Sequence, residues 1–140
     1  MSEIYSKNIR VYYALTDAGG VVYHANYLSF MEQCRCDWLA ELGHDVAKMQ
    51  DRDGIIWVVR EAQLRYDVPA RVFDDLTVTA RVLQVGKVKL LMEQNVYNGD
   101  VLLCHSVIKL ATLDKTSFKL AAMPEPLRLA FSQAIQKQSN

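Results

Sequence analysis

A chain of 140 residues, half of them apolar and about a quarter charged, is sized for one globular domain spanning 1–140. Sixteen basic and sixteen acidic residues cancel, so no global positive field invites nucleic acid. No apolar run approaches the ~18 residues of a membrane span, and the N-terminus lacks the apolar core of a signal peptide, so the expected location is the cytoplasm. Three cysteines are an odd number, and Cys34 and Cys36 point to different faces of a predicted helix. Reduced thiols rather than disulfides are expected.

In chain order, Glu3 to Ala14 reads as a strand, with β-branched and aromatic residues at its centre. Thr16 to Gly20 is a turn whose two glycines can take positive φ. Asn26 is placed to cap a helix running to Leu42, with apolar residues at Tyr27, Phe30, Met31, Cys34, Trp38 and Leu42. Leu28 and Leu39 widen that stripe, which predicts a largely enclosed helix, and Gly43 is a stop signal. Strands follow at Ile55 to Val68, around Leu76 to Val82, at Lys87 to Tyr97 and at Val101 to Leu113. Asn98-Gly99 marks a tight hairpin. The tail from Glu125 to Lys137 is amphipathic, and Pro124 and Pro126 suit the first turn of a short helix over 125–137. The pattern is α+β: one buried helix and an antiparallel sheet with an open edge that can pair with a second copy.

The run Asp17-Ala-Gly-Gly-Val-Val-Tyr-His-Ala-Asn-Tyr-Leu28 carries the chemistry. A carboxylate just upstream of a helix N-terminus suits acyl transfer, because free N–H groups there can hold a carbonyl oxygen as it gains charge. Preceded by Val11-Tyr12-Tyr13, this run resembles the active-site segment of the hot-dog acyl-CoA thioesterases, in the 4-hydroxybenzoyl-CoA and Tol-Pal-associated branches. Arg65-Tyr66-Asp67-Val68-Pro69-Ala70, followed by Asp74-Asp75-Leu76, resembles the family's second strand and the turn after it. The resemblance covers about Arg10 to Leu113. It implies a long central helix wrapped by a curved antiparallel sheet, and a homodimer or homotetramer with active sites between subunits.

The resemblance makes Asp17 the catalytic acid, as nucleophile or general base. An Asp beside Gly-Gly is most often a turn-former, and it is the whole motif that puts catalysis ahead. The family match gives the Tyr23 backbone N–H the role of donor to the thioester oxygen and makes His24 an auxiliary. Gly19, Val22 and Asn26 complete the substrate-binding set around the turn and helix start. Arg60, Lys87 and Lys89 are candidates for the coenzyme A phosphates, with Arg65 a further possibility; solvated surface charge is the competing reading for each. Two departures stand out. Val85 to Lys89 lacks the family's common arginine/serine-rich version, and Ala14-Leu15 replaces an acidic pair. No metal is expected, since His24, His44 and His105 show no ligand spacing, and no cofactor is required. The expected reaction is hydrolysis of acyl-CoA to free acid and coenzyme A. The alternatives are an acyl carrier protein thioesterase and a non-catalytic acyl-CoA-binding or scaffold protein.

Overall fold

The computed structural model describes residues 4–139. Its sheet has five antiparallel strands: β1 (Tyr5–Arg10), β2 (Ile55–Tyr66), β3 (Asp75–Val85), β4 (Lys89–Asn98) and β5 (Val101–Asp114). Their order is β1-β3-β4-β5-β2, so β1 and β2 are the two edges. β3 shows the expected period of two most clearly: Leu76, Val78, Ala80 and Val82 are all buried. Helix α1 (Asn26–Glu41) lies across β1, β3 and β4, and α3 (Glu125–Ser139) packs on β3 beside it. A short helix, α2 (Val46–Lys48), and a wider turn over Met49–Asp53 link α1 to β2.

The core forms where the α1 stripe meets the sheet. Tyr27, Phe30, Met31, Cys34 and Trp38 recur at helical spacing and are buried against β3 and β4 residues and against Phe131 of α3. Full burial of one large apolar side chain such as Phe30 contributes about 1.5–3 kcal/mol. Register shifts fall at Val59/Glu61, Val82/Gln84 and Val96/Tyr97, and such bulges increase local twist and bend a strand.

Several boundaries differ from expectation. Glu3 lies outside the described residues, and β1 ends at Arg10. The chain then leaves the sheet, because the Val11 N–H donates to Asp74 O and a 3-10 turn forms over Tyr13–Leu15. Asn26 is not the cap. Ala25 holds that position without a side-chain bond, while Asn26 Nδ2 donates to Leu15 O at 2.9 Å. α1 is also less enclosed than predicted: Leu28 is 41% exposed, because the sheet covers only one face of the helix. The β4–β5 hairpin pairs Asn98 with Val101, so its two loop residues are Gly99 and Asp100, one position later than expected, with Gly99 at φ +59°.

Candidate active site

The motif folds into a tight turn closed by the Thr16–Val22 bridge. Asp17 N–H donates to Val21 O at 2.9 Å, and Gly20 N–H to Asp17 O at 3.0 Å. Gly20 sits at φ +80°, where a side chain is strained. Gly19 serves differently: its N–H donates to Asp17 Oδ1 at 2.8 Å, and a Cβ there would stand 3.2 Å from that oxygen. One carboxylate oxygen is thus fixed by the backbone. The other, Oδ2, has no partner among the described residues.

Asp17 lines a cavity of about 230 Å³ together with Val22, His24, Tyr27, Tyr66 and Asp67. Val22 is a buried wall whose N–H donates to Ala70 O. The His24 ring lies between Tyr23 and Tyr66, with centroids 4.6 and 6.2 Å away. Tyr66 donates its hydroxyl to His24 O at 3.1 Å, fixing the backbone just before the helix. Tyr27 is buried and its hydroxyl oxygen accepts from Ala70 N–H. Burial pushes the Tyr27 phenol above its usual range.

The helix entrance holds a correction. The Tyr23 N–H does not face the cavity as a free donor; it donates to Leu15 O at 3.0 Å. Leu15 O thereby receives both Tyr23 and Asn26, which makes Asn26 a brace for the entrance loop. Between Tyr23 and Asn26, the backbone N–H groups of His24 and Ala25 have no partner among the described residues. A free N–H at the residue that already lines the cavity, at the positive end of α1, suits a carbonyl oxygen that gains charge.

The sequence reading assigned no site role to Tyr66 or Asp67, although it singled out the segment that contains them. Arg65 grips Asp67 through two hydrogen bonds of 2.9 and 3.1 Å. That hydrogen bonding holds the Asp67 carboxyl below its usual range. Arg65 is therefore an ion-pair partner at the cavity rim.

The expected phosphate cations separate. Arg60 and Lys89 line one cleft of about 420 Å³ with Glu61 and Lys109, while Lys87 is not among its lining residues. Arg60 is the extra residue of the β2 bulge, which aims its side chain out of simple alternation. Lys109 pairs with Glu61 at 3.0 Å, leaving Arg60 and Lys89 without a carboxylate partner among the described residues. Along β2 this cleft lies six residues from Tyr66, roughly 20 Å away.

No group of three or more His, Cys, Asp or Glu among the described residues could hold a metal, and no helix among them is long and apolar enough to cross a bilayer. The model of the thioesterase superfamily matches residues 19–105. The acyl-CoA thioesterase YbgC of Haemophilus influenzae is 35% identical over 127 residues, covering 91% of this chain and 93% of that one. A probable thioesterase from Bartonella henselae superposes with a TM-score of 0.83 at 29% identity, over 86% of this chain and 99% of its own. A Staphylococcus aureus protein, SAV2348, solved in complex with CoA, superposes at 0.89 over 99% of this chain and 88% of that one; at 14% identity it speaks for the fold alone.

Proposed function

Since this chain belongs to the thioesterase superfamily and has its hot-dog fold, we propose that it is a cytoplasmic enzyme acting as one domain that hydrolyses acyl-CoA thioesters with Asp17 as the reacting carboxylate. The observation that carries this reading is the split state of Asp17: Oδ1 is tied to Gly19 N–H and Oδ2 is free at a cavity wall. Asp17 Oδ2 either attacks the thioester carbon, expelling coenzyme A thiolate and leaving a mixed anhydride for water to cleave, or takes a proton from the attacking water. In both routes the carbonyl oxygen gains charge, and the His24 N–H takes the donor role first expected of Tyr23. The His24 ring and Tyr66 shape the wall around it.

Arg60, Lys89 and Lys109 form the anion-binding group for the coenzyme A phosphates, and Lys87 stays outside it. The free edge of β2 argues for a homodimer. β2 is a twelve-residue edge strand, and long unpaired edges invite pairing. Antiparallel pairing of β2 with its copy sets the Ile55 end of one strand beside the Tyr66 end of the other, with the Arg60 of both subunits near the centre of the seam. Two such dimers can pair into a tetramer.

The test is thiol release from a panel of aromatic and short and long aliphatic acyl-CoA esters, for wild type and Asp17→Asn. Turnover by wild type that collapses in a folded Asp17→Asn protein supports the reading. Binding without turnover on every member overturns it. The same acyl group on coenzyme A and on an acyl carrier protein identifies the preferred carrier.

A further inference from the structure

Between α1 and β2 the molecule holds two cavities that the Asp17 chemistry does not use. One, of about 330 Å³, is bounded by Leu28, Ser29, Val59, Ala62 and Ile108. The other, of about 360 Å³, is bounded by Trp38, Leu39, Met92, Leu110 and Phe131. Glu32, Arg35 and Val59 line both, so Arg35 stands where they meet. The first cavity shares no lining residue with the Asp17 cavity but follows it along both elements: Leu28 comes after Tyr27 on α1, and Ala62 precedes Tyr66 by four residues on β2. Arg35 lies nine residues after Asn26, roughly 13 Å along the helix, and helical side chains lean back toward the N-terminus.

Gln94 holds Arg35 in place. It is fully buried on β4, an unusual position for an amide. Its Nε2 donates to Met31 O at 3.0 Å and to Thr79 O at 3.4 Å, which fixes its orientation and turns Oε1 toward α1. Arg35 Nη1 donates to that oxygen at 3.0 Å. The guanidinium has five N–H donors, and no carboxylate among the described residues forms an ion pair with it. Glu32, one turn earlier, is solvent-exposed and makes no such pair. Burial lowers the proton affinity of Arg35, yet a guanidinium stays charged at neutral pH. A cation on a mostly apolar wall, with one neutral hydrogen-bond acceptor and only the through-space attraction of Glu32, keeps donors for an anionic ligand.

We propose that Arg35, positioned by Gln94, reads an ionised carboxylate at the far end of the acyl group, so that coenzyme A half-thioesters of dicarboxylic acids are preferred over plain acyl thioesters of equal length. This rests on the thioesterase reading above. The apolar cavity walls take the methylene chain, and the carboxylate takes the free guanidinium donors. Neither group reacts: Arg35 selects and Gln94 positions.

The experiment compares kcat/KM for adipoyl-CoA and hexanoyl-CoA, which share a chain length and differ in the terminal carboxylate. Wild type is expected to favour adipoyl-CoA by on the order of 10- to 100-fold. Arg35→Met should bring that ratio close to one, and Arg35→Lys should hold an intermediate value. The ratio is the readout, because a merely structural loss lowers both substrates together. A wild-type ratio at or below one overturns the proposal, whatever the variants do, and so does a preference that survives Arg35→Met. The two readings fail separately. No thiol release from any ester of the acyl-CoA panel, these two included, sinks the thioesterase assignment, whereas turnover elsewhere on the panel, or Asp17-dependent cleavage of hexanoyl-CoA, without an adipoyl preference sinks only the role of Arg35.

Discussion

The Asp17 turn and the β4–β5 interior treat polar atoms in opposite ways. In the interior, Gln94, Asn95, Ser106 and Thr112 are buried and each has a partner: Gln94 meets Arg35 and Met31, Asn95 meets His105, Ser106 meets Gln94 O, and Thr112 meets Ala121 O. Pairing there compensates the cost of removing an amide or hydroxyl from water. At the turn, Asp17 Oδ2 and the His24 and Ala25 N–H groups are left unpaired among the described residues, although the N–H groups of Asp17, Gly19, Gly20, Val22 and Tyr23 around them are engaged. The contrast separates polarity that the fold pairs within itself from polarity that it leaves unpaired, which is what the proposed chemistry requires. Among the described residues, two buried side-chain atoms, His44 Nδ1 and Trp57 Nε1, have no partner and fall outside both groups.

The largest effect should come from removing the free oxygen. Asp17→Asn keeps an acceptor for Gly19 N–H, so the fold should persist while kcat falls by about 10²–10⁴. Circular dichroism and thiol release in parallel would check both halves. A single turnover in ¹⁸O-water sharpens the chemistry: label in Asp17 marks a nucleophile whose anhydride is cleaved at the Asp17 carbon, whereas label in the product alone is the outcome for a base and equally for an anhydride cleaved at the acyl carbon. Gly19→Ala should lower kcat by roughly 10–100-fold, because the new Cβ stands 3.2 Å from Asp17 Oδ1 and pushes the carboxylate out of position. Activity at wild-type level would show that this oxygen does not need to be held.

Gln94→Leu tests the other side of the comparison. It strands the Arg35 guanidinium and takes a second donor from Met31 O and Thr79 O, so urea unfolding should report a loss of about 2–4 kcal/mol. An unchanged midpoint would mean that pairing in the interior matters less than packing. The smallest effect concerns thiols. Burial pushes Cys34 up to about 12 and Cys104 up to about 11 from an ordinary value of 9.0. These groups bind their protons more tightly in the folded state. Their contribution to stability is therefore complete below pH 9 and is lost as pH rises through 9 toward 12. Thiol titration at pH 8 should find Cys34 and Cys104 silent in the folded protein, with Cys36, which is only half-buried, reacting first.

Much of this was legible in the sequence. Periodicity located α1, β3, β5 and α3 to within a few residues, since side-chain direction repeats every 3.6 or 2 positions and burial follows direction. The turn and helix start of the Asp17 run were legible through residue types that favour them. Hydrogen-bond assignment was not legible. Nothing local says that Leu15 O claims the Tyr23 N–H and leaves that of His24 free, or that Asn26 braces a loop instead of capping a helix. The bulge that sends Arg60 toward Lys89 and Lys109 is invisible in an alternating pattern, because it arises from the register with β5.

The sequence by itself determined the element types, the apolar faces and the acid at the head of the helix, all of which depend on short-range spacing. Tertiary structure decided which polar atoms stay unpaired, which cations share a cleft and which charge Gln94 holds against the apolar wall. Each of those pairs groups far apart in the chain, such as Arg35 with Gln94 and Asp17 with Tyr66, and only the packing of α1 on the sheet brings them together.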